Sequence, residues 1–89
     1  MAFSFVKMKS KKPNRKDPEF AELVAVRIRK LRNEHKYSQE YVIDKTGLDI
    51  HRFESAISMP TLYSLLIICK FYRITLDEFF APMNYPSKE

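Results

Sequence analysis

Only one glycine, Gly47, occurs in 89 residues, and it sits in Thr46-Gly47-Leu48 between two stretches of helical periodicity. Glycine takes the left-handed backbone that stops a helix or turns a corner at no steric cost. A chain with one such residue reads as helical and has no Gly-rich loop with which to cradle a phosphate. Its length suits a single domain with one modest core, and a deep catalytic cleft would consume much of that core. Hydrophobic residues at 45% and charged residues at 30% are ordinary for a soluble globular protein.

Cys69 is the only cysteine, so no disulfide can form within the chain, which suits a reducing cytoplasm. It lies in the apolar run Leu65-Leu66-Ile67-Ile68-Cys69, where a buried structural thiol is expected rather than a nucleophile. That run is far too short to span a membrane. At the start, Met1-Ala2-Phe3-Ser4-Phe5-Val6 precedes the positive charges, the reverse of a secretory signal, and none is expected. No Ser/His/Asp or Cys/His set, carboxylate pair or nucleotide loop supports catalysis. His35 and His51 are the only histidines and carry no metal-ligand spacing, so neither a metal nor another cofactor is expected.

Charge divides the chain. Residues 1–16 hold Lys7, Lys9, Lys11, Lys12, Arg15 and Lys16 with no acid, whereas the remainder sets ten Lys/Arg against eleven Asp/Glu. A basic arm of this kind suits a polyanion, and equally a solubilising tail. Residues 9–17, polar, charged and interrupted by Pro13, read as a linker or a disordered arm. Residues 2–9 roughly alternate apolar and polar, as a short strand or a disordered segment would.

Helix signals then follow in order. Asp17-Pro18-Glu19 is a start signal, and Phe20, Val24, Ile28 and Leu31 recur at helical spacing, predicting helix 1 over residues 18–35. Ser38 caps a second helix over residues 38–46, closed by Gly47. A third runs over about residues 49–56, with Ile50, Phe53 and Ile57 inward, and Met59-Pro60 breaks the pattern. Thr61 caps a fourth over residues 62–72, and Thr75-Leu76-Asp77-Glu78 is a capping box for a short fifth ending near Phe80. On the fourth helix Leu62, Leu65, Leu66 and Cys69 are expected to face the core, with Ile68 beside them. Tyr63, Ile67, Lys70 and Phe71 fall on the other side. The apolar Tyr63, Ile67 and Phe71 form a candidate dimer patch, unless Met83 and Tyr85 or Phe3 and Phe5 cover it.

Several segments appear in a telling order: Arg27-Ile28-Arg29-Lys30-Leu31-Arg32, Tyr37-Ser38-Gln39-Glu40, Thr46-Gly47-Leu48, Ile50-His51-Arg52-Phe53-Glu54-Ser55, Pro60-Thr61-Leu62 and Ile74-Thr75-Leu76-Asp77-Glu78-Phe79-Phe80. Together, over residues 24–80, they resemble the Cro/CI-type (XRE-like, lambda-repressor-like) helix-turn-helix DNA-binding family. The resemblance implies an all-α domain of five helices over residues 17–81, preceded by the basic arm of residues 1–16 and followed by a tail, residues 82–89. With it goes the expectation of a transcriptional regulator that binds double-stranded DNA as a homodimer; the cysteine usage suits the cytoplasm, and no small-molecule ligand is evident from the sequence. The resemblance also implies that Gln39 touches a phosphate and supports the reading helix, and that Arg32 pairs with Glu54. The stretch between Gly47-Leu48 and Glu54 is about one helical turn shorter than the family pattern, which removes the usual base readers.

Around the third helix the polar candidates for DNA contact are Asp49, His51, Arg52, Ser55 and Ser58. Only Arg52 is a strong base-reading type, and it is equally a partner for Glu54 or Asp49. Tyr37, Ser38, Gln39, Lys45, Thr61 and Tyr63 are candidates for phosphate contact. Residues 45–64 balance Lys45 and Arg52 against Asp49 and Glu54, so the arm must supply much of any attraction to DNA. The other function this chain suits is that of a protein-interaction module, antitoxin-like or a co-regulator, that keeps the fold and binds a protein partner.

Overall fold

The computed structural model describes residues 16–88, and among them there are five α-helices and no strand. They are α1 (Pro18–Glu34), α2 (Gln39–Thr46), α3 (Ile50–Glu54), α4 (Leu62–Tyr72) and α5 (Leu76–Phe80), followed by a 3-10 turn, Ala81–Met83. Every α-helix begins with a side chain that accepts from an otherwise orphaned backbone N–H. Asp17 accepts from Phe20 N, Ser38 from Tyr41 N and Thr61 from Ser64 N, each at 3.0 Å, and Asp49 accepts more weakly from Arg52 N at 3.4 Å. Thr75 and Glu78 complete the capping box of α5 reciprocally, at 2.9 and 2.8 Å.

Helix endings are less uniform. Gly47 stops α2 at φ 73°, as its place in the sequence suggests. Three further helices stop on left-handed residues that are not glycine: Lys36, Ala56 and Arg73, at φ 59°, 62° and 60°. In each case the next N–H folds back to the carbonyl five residues earlier: Tyr37 to Arg32, Ile57 to Arg52 and Ile74 to Cys69. This pattern satisfies carbonyls that the helix end would otherwise leave bare.

The core draws on all five helices. Val24, Ile28 and Leu31 of α1 meet Val42 of α2 and Ile50 and Phe53 of α3. Leu65, Ile68, Cys69 and Tyr72 of α4 and Phe79 of α5 close it from the other side. Each fully buried side chain of this size contributes about 1.5–3 kcal/mol relative to leaving it in water. Cys69 is buried and unpaired, and burial pushes its thiol above the ordinary range. The hydroxyl of Tyr72 is the one buried side-chain polar atom without a hydrogen-bond partner among the described residues.

Three expectations need correction. The third helix is shorter than residues 49–56, because Asp49 caps it from outside and Ser55 already ends it. Ile57 does not point inward and is 66% exposed. Left-handed Ala56 turns the chain just before it, so the helical register that would have carried Ile57 to the core is lost. Leu62 shares the apolar stripe of α4, yet it is 68% exposed. It occupies the first position of the helix, where no neighbouring element covers it. The core stripe runs instead through Leu65, Ile68, Cys69 and Tyr72.

Two contacts tie the end of the described chain to its beginning. Arg27 of α1 donates from Nε to the Phe79 carbonyl at 2.7 Å and from Nη2 to the Glu78 carbonyl at 3.0 Å. Its cation thus sits at the negative end of α5. Tyr85 stacks on Phe20, with ring centroids 5.8 Å apart, and its hydroxyl donates to Asp17 Oδ2 at 2.7 Å. Tyr85 therefore covers the start of α1, not the outer side of α4 as one expectation had it.

Candidate functional site

Glu54 lies at the centre of the most highly connected polar group among the described residues. It is the last residue of α3 and is buried. Arg32 of α1 meets its carboxylate with two parallel hydrogen bonds, Nε to Oε2 at 2.7 Å and Nη2 to Oε1 at 2.9 Å. Gln39, the first residue of α2, donates to Oε1 at 2.9 Å. The third nitrogen of Arg32 donates to the Tyr37 carbonyl at 2.9 Å, and Arg29 donates to the backbone carbonyl of Glu54 at 3.0 Å. Burial pushes the Glu54 carboxyl up, but hydrogen bonds from Arg32 and Gln39 and the charges of Arg32 and Arg29 outweigh it and hold the carboxyl below its usual range. Arg32 is correspondingly raised, first by its hydrogen bond to Glu54. One carboxylate thus fixes the end of α3 against both α1 and the start of α2.

The pairing of Arg32 with Glu54 that the resemblance implies is present, and Gln39 joins the same group. Reading the residues did not find Arg29, whose role depends on a backbone carbonyl 25 positions away and leaves no local signal. Glu40 was also missed. Its Oε2 lies 3.4 Å from Nε2 of His51, and both side chains are exposed. Arg52 resolves its two candidate partners in favour of Asp49, at 3.7 Å and exposed. Exposed pairs of this kind contribute at most about 1 kcal/mol, so they leave both side chains able to rearrange.

Other candidates keep local partners while remaining open to solvent. Ser38 and Thr61 are helix caps whose hydroxyls accept from backbone, and Ser38 Oγ retains its own proton to donate. Ser55 donates to the Arg52 carbonyl at 3.2 Å. The ammonium of Lys45 stands 5.5 Å from the Tyr41 ring centroid. Tyr37 is half-buried in an aromatic cluster with His35, Tyr41, Phe71 and Tyr72. Of the proposed patch on α4, Tyr63 is 71% exposed, Ile67 is half-buried and Phe71 is partly covered by the Tyr37 and Tyr41 rings. Among the arm residues Lys16 is described and exposed, while Lys7, Lys9, Lys11, Lys12 and Arg15 lie outside the described residues.

No protein-family model, curated protein or solved structure matches this chain. Among the described residues, no helix is long and apolar enough to cross a membrane, and no group of three or more His, Cys, Asp or Glu is placed to hold a metal ion.

Proposed function

We propose that this protein is a DNA-binding transcriptional regulator of the lambda-repressor-like, helix-turn-helix kind, acting in the cytoplasm as a homodimer on double-stranded DNA, without catalysis or cofactor. In this reading α2, the three residues Gly47-Leu48-Asp49 and α3 form the helix-turn-helix, a motif in which two helices are joined by a short turn that often contains glycine. The observation that carries it is the grip of Arg32 and Gln39 on Glu54. A reading helix gains specificity only if it is held rigidly while its outer face stays open. Here the inner end of α3 is clamped, and His51, Arg52 and Ser55 are left exposed. The start of α2 adds the Ser38 hydroxyl and free N–H groups of the kind that bind phosphate. With only five residues, α3 offers few base contacts, so the basic arm supplies attraction that this face lacks.

Fluorescence anisotropy at about physiological salt tests this, comparing a duplex from the protein's own upstream region with a scrambled duplex. A preference of roughly a thousandfold or more is expected of a specific regulator. Equal, weak and salt-sensitive binding to both would sink specific readout.

A second reading has its own support. Leu62 is exposed at the start of α4 beside the equally exposed Tyr63 ring, and an aliphatic side chain there gives a DNA backbone nothing to bond. Paired exposed apolar side chains suit a protein partner, and a protein-interaction module would use them.

A further inference from the structure

Ser55 to Cys69 is a run of fifteen residues without Asp, Glu, Lys, Arg or His, in a chain of which 30% is charged. Its second half is largely taken up by the core through Leu65, Ile68 and Cys69, but its first half comes to the surface. Ile57, Met59, Leu62 and Tyr63 are 66%, 42%, 68% and 71% exposed among the described residues. Ile57 and Met59 also line an apolar groove of about 430 Å³, together with Phe20 and Ala21 of α1. Leu62 follows Met59 by three residues, no more than about 11 Å along an extended chain. A projecting apolar pair thus stands beside an apolar hollow. Of the patch expected from the sequence only Tyr63 belongs here, because Ile67 is half-buried and Phe71 is partly covered by the Tyr37 and Tyr41 rings.

We propose that this surface joins two copies of the chain about a two-fold axis, with Leu62 and Tyr63 of each copy seated in the groove of the other. The proposal rests on the homodimer reading above and names the surface that serves it. A two-fold contact uses the same patch on both copies, so any net charge within it meets its own kind and opposes association. A patch without charge escapes that penalty, and the two charged residues of the groove lining, Lys16 and Asp17, are of opposite sign. The same neutrality gives an acidic or a basic partner nothing to pair with. Shape points the same way, because a patch that carries both a projection and a hollow can complement itself. Its side chains fit as well, since Tyr and Met are enriched and Lys, Glu and Asp depleted in protein interfaces. The patch starts directly after Glu54, the last residue of α3, so the contact fixes how far apart the two third helices stand.

Sedimentation velocity on the full chain, without DNA, tests this. At tens of micromolar the expected species is a dimer. Leu62→Glu and Ile57→Glu each place a like charge on both sides of the axis, at positions exposed in the single copy. Each should raise the dimer dissociation constant by at least about tenfold while the helical circular dichroism holds. Val26→Glu, exposed on α1 outside the run, should leave the constant as it is. A charge-free contact also persists as salt rises, because it has no attraction to screen. A wild-type chain that stays monomeric at this concentration would overturn the proposal and the homodimer reading with it. A dimer indifferent to Leu62→Glu and Ile57→Glu, or one that dissociates in salt, would overturn this surface alone. Because no DNA is present, each result stands apart from the duplex comparison, in which a monomer can still prefer its own upstream sequence.

Discussion

The guanidinium of Arg32 and the carboxylate of Glu54 face each other in a fork, 2.7 and 2.9 Å apart along two parallel hydrogen bonds, although 22 positions separate them in the chain. Both side chains are largely withdrawn from water, with the carboxylate the more deeply buried. Removing one member strands the other, so Arg32→Met should destabilise the fold by about 3 kcal/mol or more. Replacing both with apolar residues of similar volume should do much less damage. Urea unfolding of the two variants decides the matter: the midpoint should fall strongly in the single variant with the slope unchanged, and recover in the double. Equal loss in both would mean that packing, not the stranded charge, sets the effect.

The same pair makes the protein sensitive to acid. Glu54 titrates below its unfolded value of about 4.3, so between those two points the unfolded chain binds the extra proton. Its stabilising contribution is complete above that pH and is lost as pH falls through the folded value. Glu54→Gln should therefore flatten the dependence of unfolding free energy on pH below about 4.3. Chemical denaturation across this acid range reads it directly, and an unaltered profile would show that other carboxylates control the acid limb.

Left-handed residues give a paired test of backbone strain. A Cβ added at Gly47 meets nothing within 4 Å, so Gly47→Ala carries only the conformational penalty, about 1 kcal/mol. Ala56 already carries a Cβ at φ 62°. Ala56→Gly should relieve that strain, offset in part by greater freedom of the unfolded chain, for a gain of about 0.5 kcal/mol. Thermal unfolding should move the two midpoints in opposite directions. Movement in the same direction would contradict the backbone account.

Tyr72 predicts a gain from losing an oxygen. Its hydroxyl is buried without a partner, and Tyr72→Phe should stabilise the protein by about 1 kcal/mol at neutral pH. Burial also pushes its phenol up to about 12, so the folded chain keeps the proton that the unfolded chain releases near pH 10. That contribution is present below about pH 10 and fades as pH rises through the folded value. The variant should lose this part of the alkaline destabilisation. Tyr85, raised to about 12 chiefly by its hydrogen bond to Asp17, will continue to contribute in the same direction.

If DNA is the partner, charge and specificity should separate. Changing Lys7, Lys9, Lys11, Lys12 and Arg15 to Gln should lower affinity for all sequences and reduce the salt slope by about 0.9 for each phosphate no longer neutralised. Arg52→Ala should instead narrow the preference between the best duplex and a scrambled one, by about 1–3 kcal/mol if it reads a guanine. A salt slope untouched by the arm substitutions would remove the arm from the binding account.

The legible parts of this fold were those written within three or four residues. Asp17, Ser38, Thr61 and the Thr75–Glu78 box each announce a helix by a side chain and a backbone N–H three positions apart, and all four caps form. Gly47 announced one helix stop. Lys36, Ala56 and Arg73 take the same conformation without any compositional signal, each followed by an N–H that folds back onto its helix end. The misplacement of Ile57 follows from that silence at Ala56. The Arg32–Glu54 pair came from a family resemblance rather than from spacing. Arg29 on the Glu54 carbonyl and Tyr85 on Asp17 had no sequence mark, since their partners lie 25 and 68 positions away.

Arg27, reaching 52 residues forward to the Phe79 carbonyl, has a consequence for how the protein is made. The five-residue α5 is too short to persist alone, and fully buried Phe79 is one of the largest plugs in the core. On a ribosome, α1 emerges early and waits with its arginine unmatched and its apolar face open. Closure must await the emergence of the segment that carries Phe79, so α1 stays exposed for as long as the intervening 52 positions take to be made.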